Sequence, residues 1–171
     1  EIDYLIKKIR MKIELLKEQR TSLINHCVTK GLDPNVEMKD SGVEWIGKIP
    51  KHWSKLKFSY VSSLETGNTP SKSQEDLYFT EENYGFPWVK PSDLDVGYDG
   101  VSHSEVRLTP EGKKQSRVVT KDSILVCCIG NTSGKFSIAN KDLSTNQQIN
   151  SITFNEKIFP RYGLYYMDVF G

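Results

Sequence analysis

The sequence predicts an α+β protein, a long coiled-coil-type helix followed by a mixed α/β domain with a small twisted sheet. Three observations predict it. An apolar seam recurs alternately every four and three residues from Ile2 to Cys27. Gly31 and Pro34 stop that pattern abruptly. Beyond Trp53 the apolar residues come in short runs bounded by turn residues, the pattern of strands. With 171 residues and 37% hydrophobic content, the chain carries one compact domain plus an extended element.

The seam is Ile2, Ile6, Ile9, Ile13, Leu16, Arg20, Leu23 and Cys27, with Arg20 its single polar member. Lys7, Lys8, Lys12, Glu14, Lys17 and Glu18 fall on other faces. Residues 1–29 make a helix roughly 40 Å long, more than a domain of this size covers, so the stripe requires a second helix. That helix comes from a segment outside this sequence, another copy or another protein; the alternative is a helix lying along its own domain. Arg20 either sets the register or snorkels to the edge.

Residues 30–53 form a structured joint. Lys30-Gly31 closes the helix with a cation in the last turn and a residue suited to positive φ. Val43, Trp45, Ile46, Ile49 and Trp53 are too apolar for a solvated tether, while Gly42, Gly47 and Pro50 prevent a long regular element. A collar packed on a neighbour satisfies both.

In the domain, residues 54–171, Leu56, Phe58 and Tyr60 alternate with polar residues and predict a half-buried strand. Glu65 to Glu82 reads as a long exposed loop. Strands are predicted at Phe86–Lys90 and Glu105–Leu108, with the Gly97-Tyr98-Asp99-Gly100 turn between them. Thr109-Pro110-Glu111 supplies the N-cap, N1 proline and first-turn acid of a short helix. Ser123–Ile129 is the most continuous apolar run and predicts the central buried strand. Phe136–Ala139 and Gln148–Phe154 predict further strands, and Ile158 to Phe170 a helix with Pro160 in its first turn.

Charge is nearly balanced, with 23 Lys and Arg against 22 Asp and Glu, so composition by itself announces neither a nucleic-acid binder nor a membrane-surface protein. Residues 1–53 carry ten basic and eight acidic side chains, residues 54–171 thirteen and fourteen. Cys27, Cys127 and Cys128 make no disulfide framework and no metal knuckle, which predicts a reducing, cytoplasmic setting. No apolar run approaches a membrane span.

The catalytic patterns fail on inspection. Gly130-Asn131-Thr132-Ser133-Gly134-Lys135 is similar to a phosphate-binding glycine loop. It is one residue short, carries Phe136 where Mg²⁺ needs Ser or Thr, and leads into a strand instead of a helix. Asp93, Asp95 or Asp99 ahead of Glu111-Gly112-Lys113 has the residue types of a Mg²⁺-dependent nuclease, but those acids converge from strands and Glu111 follows a helix start. His26, His52 and His103 lack the nucleophile and orienting acid of a triad, and a zinc site at His26 and Cys27 lacks partners. What remains is binding. Asn146, Gln147 and Gln148 precede a strand, where their amides either satisfy backbone groups, the commoner use, or pair with adenine N6 and N7 in a major groove. Ser71, Lys72 and Ser73, Lys113, Lys114 and Arg117, and Lys135 are candidate phosphate contacts. Trp45 and Trp88 read as collar and core anchors.

The helix, then Gly31-Leu32-Asp33-Pro34-Asn35, then Met38-Lys39-Asp40-Ser41-Gly42-Val43-Glu44-Trp45-Ile46-Gly47-Lys48-Ile49-Pro50-Lys51-His52-Trp53, resembles the specificity subunit of Type I restriction-modification systems. Gly130 to Lys135, Ala139 and Thr145-Asn146-Gln147-Gln148 resemble the body of a target recognition domain in that family. The resemblance spans nearly the whole chain and is most specific in the joint. It implies a subunit built as recognition domain, helix, recognition domain, helix, with the helices paired antiparallel as a spacer and each domain reading half of a bipartite site in double-stranded DNA. It implies no catalytic residue in this chain. S-adenosylmethionine would sit on methyltransferase subunits, and ATP and Mg²⁺ on a restriction and translocase subunit.

On this reading residues 1–29 are the first spacer helix and 54–171 the second target recognition domain, cut before its end. The helix-pairing interface is then Ile2, Ile6, Ile9, Ile13, Leu16, Arg20, Leu23 and Cys27, and its partner a second spacer helix from the absent part or from another copy, as a homodimer. The DNA-binding candidates are Ser71, Lys72, Ser73, Lys113, Lys114, Arg117, Lys135, Asn146 and Gln147. The rival readings are a coiled-coil adaptor that binds only protein and a Mg²⁺-dependent nuclease.

Overall fold

The computed structural model describes residues 1–94 and 97–170, without the side chain of Lys72. Two compact units emerge, Glu1–Leu56 with Tyr165–Gly171, and Lys57–Leu164. Among the described residues no helix is long and apolar enough to cross a membrane.

In the first unit, helix α1 (Ile2–Lys30) runs unbroken and ends where predicted, at Gly31 with φ 82. Ile2, Ile6, Ile9, Ile13, Leu16 and Leu23 of the seam are exposed, from 43 to 74%, so the described residues leave the stripe uncovered. Only the last turn is buried, at Val28 and Thr29. There the helix meets a two-stranded antiparallel ribbon, β1 (Met38–Asp40) and β2 (Lys48–Pro50), in register Lys39 with Ile49. The Asp40 carboxylate accepts from Gly42 N (2.8 Å) to start the turn, and Gly42 and Gly47 both take positive φ. Lys30 Nζ donates to Ile46 O at 2.9 Å and Lys48 O at 2.6 Å, fastening the helix end to the ribbon. The joint is thus regular where its glycines permit. Trp45 is 65% exposed and rests its ring 4.7 Å from that of Phe170.

The second unit opens differently from its prediction. Phe58–Tyr60 form a 3-10 turn, closed by Tyr60 N to Lys57 O and Val61 N to Phe58 O, in place of a strand. The alternation buries no face; Phe58 and Tyr60 stay exposed, and the Phe58 ring meets Phe154 edge-on at 5.8 Å. The strand begins later, as β3 (Ser62–Thr66). The segment read as one long loop contains the end of β3, a 3-10 turn at Lys72–Gln74, the single-turn helix α2 (Glu75–Tyr78) and β4 (Phe79–Thr80).

Then come β5 (Phe86–Val89), a 3-10 turn at Pro91–Asp93, β6 (Arg107–Leu108), α3 (Pro110–Lys114), β7 (Ile124–Cys127), β8 (Phe136–Ile138), β9 (Ser144–Thr145), β10 (Ile149–Phe154) and α4 (Pro160–Phe170). Helix α3 starts as its sequence dictates, with Thr109 Oγ1 accepting from Gly112 N at 3.1 Å.

The strands form two four-stranded sheets instead of one, ordered β3-β10-β7-β8 and β4-β6-β5-β9. All pairings are antiparallel except β5 with β9. Strand β7 lies inside the first sheet, with Ile124 facing Ile152 on one side and Ile138 on the other. The core draws on both sheets: Val89 from β5 joins Leu125, Cys127 and Ile149, with Leu94, Val101, Val119, Ala139 and Leu143 filling in. Each fully buried Leu or Ile contributes about 1.5–3 kcal/mol.

Candidate nucleic-acid interface

Antiparallel register gathers distant segments at one end of the first sheet. Strand β3 stops at Thr66 opposite Asn150, β10 starts at Ile149 opposite Cys127, and β8 starts at Phe136 opposite Val126. The segments 67–71, 146–148 and 128–135 therefore leave or enter the sheet side by side.

Asn68 ties the first of these segments to β9, β5 and residues 115–117. Its N–H donates to Thr145 O at 2.9 Å, its carbonyl accepts from Trp88 Nε1 at 3.1 Å, and its amide binds residues 115–117 at both ends: Nδ2 to Gln115 O (2.7 Å) and Oδ1 from Arg117 N (2.8 Å). Next to it Gly67 N donates to Ile149 O, and the Thr69 hydroxyl donates to Gln147 Oε1. On the far side of β10, the 128–135 segment is a hairpin connection with Gly130 and Gly134 at φ 93 and 89. Cys128 N donates to Gln148 O at 2.9 Å and holds it beside residues 146–148.

The predicted residues divide accordingly. Ser71 and Ser73 are exposed, their hydroxyls 2.8 Å apart at the start of the 3-10 turn. Lys72 belongs to that turn, and its side chain lies outside the described residues. Arg117 is exposed, with Nη1 donating to Thr66 O at 2.5 Å. Lys135 is half-buried, and its carbonyl accepts from Cys127 N. Asn146 is 8% exposed and satisfied internally: Nδ2 donates to Gln148 Oε1 at 2.9 Å and Oδ1 accepts from Gln148 N at 3.1 Å. Gln147 is exposed at the same rim. Lys113 and Lys114 stand apart on α3, Lys113 Nζ 4.2 Å from the centre of the Phe86 ring and Lys114 3.9 Å from Glu111. Lys113 also lines an open groove of about 780 Å³ with Thr80, Tyr84, Phe86 and Pro87.

The charge distribution follows the same geometry. The stretches 66–74, 113–117, 128–135 and 146–148 contain Lys72, Lys113, Lys114, Arg117 and Lys135 and no carboxylate, in a domain with one more acid than base. Asn68 and Thr69 are not among the predicted site residues, and Ile129, expected at the end of the central buried strand, lies beyond β7 and is 57% exposed. One signal was there to be used: Gly-Asn-Thr occurs at Gly67–Thr69, directly after β3, and again at Gly130–Thr132, separated from the end of β7 by two residues, and these are the strands on either side of β10.

The nuclease pattern has no such convergence. Asp93 caps its own turn, accepting from Lys90 N at 2.8 Å, Glu111 and Lys113 ride on α3, and Asp95 lies outside the described residues. Among the described residues no group of three or more His, Cys, Asp or Glu is arranged to hold a metal ion.

Comparison with known proteins gives a consistent result. A family model described as "Type I restriction modification DNA specificity domain" matches residues 50–169. The chain is 32% identical over 113 residues to the Type I restriction enzyme HindI specificity subunit of Haemophilus influenzae, covering 61% of this chain and 22% of that protein. Its fold is similar to the crystal structure of the HsdS subunit from Thermoanaerobacter tengcongensis, with a TM-score of 0.61 at 16% identity, over 98% of this chain and 38% of that one. A chain from a structural study of complex assembly and conformational transition in the type I R-M system matches over the same shares, with a TM-score of 0.57 at 14% identity. The chain thus spans about a fifth of the curated relative and just over a third of the solved chains. With the family model covering most of its length, the chain belongs to the Type I restriction modification DNA specificity domain family.

Proposed function

We propose that residues 57–164 read one half of a bipartite site in double-stranded DNA, and that α1 is a spacer helix fixing the distance to a second reading domain. The observation that carries this is the end of the first sheet. Three segments far apart in sequence converge there, 67–71 and 146–148 bonded through Thr69 and Gln147 and 128–135 through Cys128 N to Gln148 O, and with residues 113–117, which Asn68 holds, they bring cations, exposed amides and hydroxyls. Cations and hydroxyls suit phosphates and so set position, while amides suit base edges and so set sequence.

The exposed seam of α1 supports pairing with a second spacer helix, from the rest of the subunit or from another copy. The chain's role is recognition without catalysis. Methyltransferase subunits carrying S-adenosylmethionine, and a restriction and translocase subunit using ATP and Mg²⁺, assemble around it in the cytoplasm and supply much of the phosphate clamp that a near-neutral domain does not.

Domain exchange tests the proposal. Residues 57–164 are replaced by the corresponding domain of another specificity subunit in a reconstituted methyltransferase complex, and the methylated adenines are mapped by sequencing. The expected outcome is a change confined to one half-site. An unchanged recognition sequence overturns the proposal and leaves the protein-binding adaptor.

A further inference from the structure

We propose that Thr69 and Gln147 act as one specificity-determining unit, in which the Thr69 hydroxyl positions the Gln147 amide to read a single base through its N–H donors. This deepens the function proposed above and rests on it. The two residues are 78 apart in sequence and meet because β3 and β9 both end at this rim. Their backbones are fixed from both sides. Asn68 N donates to Thr145 O, Gly67 N to Ile149 O, and the Asn146 and Gln148 amides hold the 146–148 turn from within.

Gln147 differs from its neighbours in what is left over. Asn146 is buried with its amide engaged at both ends, and Gln148 accepts from it. Gln147 is exposed, and its oxygen is engaged by Thr69. The Nε2 group then points its two donors away from the carbonyl that Thr69 holds. A flexible amide can present either its donor or its acceptor edge; one whose oxygen is held presents mainly donors. In a major groove the complementary edges are acceptors, guanine O6 and N7, thymine O4 or adenine N7. The free side chain of an exposed Gln carries large rotamer entropy, which the Thr69 bond reduces before DNA arrives. The ligand is therefore an acceptor-presenting base edge at one position of the half-site.

The experiment uses the complete methyltransferase complex containing the full specificity subunit, with genomic DNA methylation mapped by sequencing. Gln147→Ala and Thr69→Val are each expected to lower discrimination at the same single base position by roughly 5- to 100-fold, the range of one base contact, with the other positions unchanged. Thr69→Ser, which keeps the hydroxyl, is expected to retain the wild-type preference. Gln147 is a surface residue, so Gln147→Ala keeps the test decisive if Thr69→Val fails to assemble. The inference is overturned if Gln147→Ala leaves every position as in wild type, if it weakens methylation uniformly over all sequences as a phosphate contact would, or if the two variants affect different positions. Domain exchange separates these failures from failure of the underlying function. If exchange redirects the half-site while these variants do not, the unit is wrong and the reading domain stands.

Discussion

At the scale of single residues, the rim of the first sheet depends on a close approach that one atom would prevent. A Cβ on Gly67 would overlap Thr145 Oγ1 and the carbonyl oxygens of Thr145 and Asn146, and two of these three neighbours are backbone that cannot swing aside. Gly67→Ala must therefore part the 67–71 and 146–148 segments, break Asn68 N to Thr145 O, and leave buried polar groups unpaired. The expected loss is about 1–3 kcal/mol, read as a lower urea midpoint at unchanged slope. A midpoint equal to wild type would mean that the segments separate without cost, and would remove the basis for treating the rim as preorganised. The same neighbourhood shows why identical residue types diverge in use. Asn146 and Gln147 are adjacent amides, yet one is 8% exposed and fully engaged while the other faces solvent. Their residue types do not distinguish them; the fold does, closing Asn146 against Gln148 and turning Gln147 outward to Thr69, nearly eighty residues earlier.

At the scale of elements, the joint shows how a helix end is fastened. Lys30 is the cation at the last turn of α1, where the unpaired carbonyls favour positive charge, and its ammonium reaches two carbonyls of the ribbon. Lys30→Met retains the aliphatic stem and removes both bonds. It is expected to cost about 1–3 kcal/mol and to speed amide exchange at Ile46 and Gly47, whose N–H groups both bond to Val43 O. Unchanged exchange there would show that the ribbon holds itself. Elements of this kind were legible in sequence when their signal was local. The period and stop of α1, the Thr109-Pro110 start of α3 and the apolar run of β7 are each contained within their own segment. Strand β3 was not legible, because Ser-Ser-Leu-Glu-Thr has no strand character of its own. It is extended because β10 pairs with it, and Ser151 Oγ bonds Glu65 O across 86 residues. The 3-10 turn at Phe58–Tyr60 failed for the converse reason, a period-two pattern with no sheet face to bury it. The candidate rim was half legible: its cations and amides could be named, but their convergence is a product of register.

At the scale of the whole molecule, the question is how a nearly neutral chain attracts a polyanion. Net charge is +1, and attraction by total charge is negligible. What the fold supplies is clustering: Arg117 and Lys135 lie in stretches at the rim, Lys72 belongs to the turn after β3, and Lys113 and Lys114 ride on α3 near Glu111, so cations gather toward one part of the domain while the total charge stays near zero. Salt dependence counts such contacts, since each neutralised phosphate adds about 0.9 to the slope of log affinity against log salt concentration. Lys113 and Lys114 are exposed, Lys113 over an aromatic face and Lys114 in a long, solvated ion pair with Glu111, so both can turn toward a phosphate at little cost. Replacing both by Ala in the assembled complex is expected to make the slope shallower by about 1.8 and to weaken binding equally for all sequences. The recognition sequence should not change, because phosphate contacts position the protein without reading bases. An unchanged slope would place α3 off the DNA and confine the interface to the sheet end itself. A changed sequence preference at constant slope would instead move these lysines from the backbone to the base edges, and the division of labour between cations and amides would have to be redrawn.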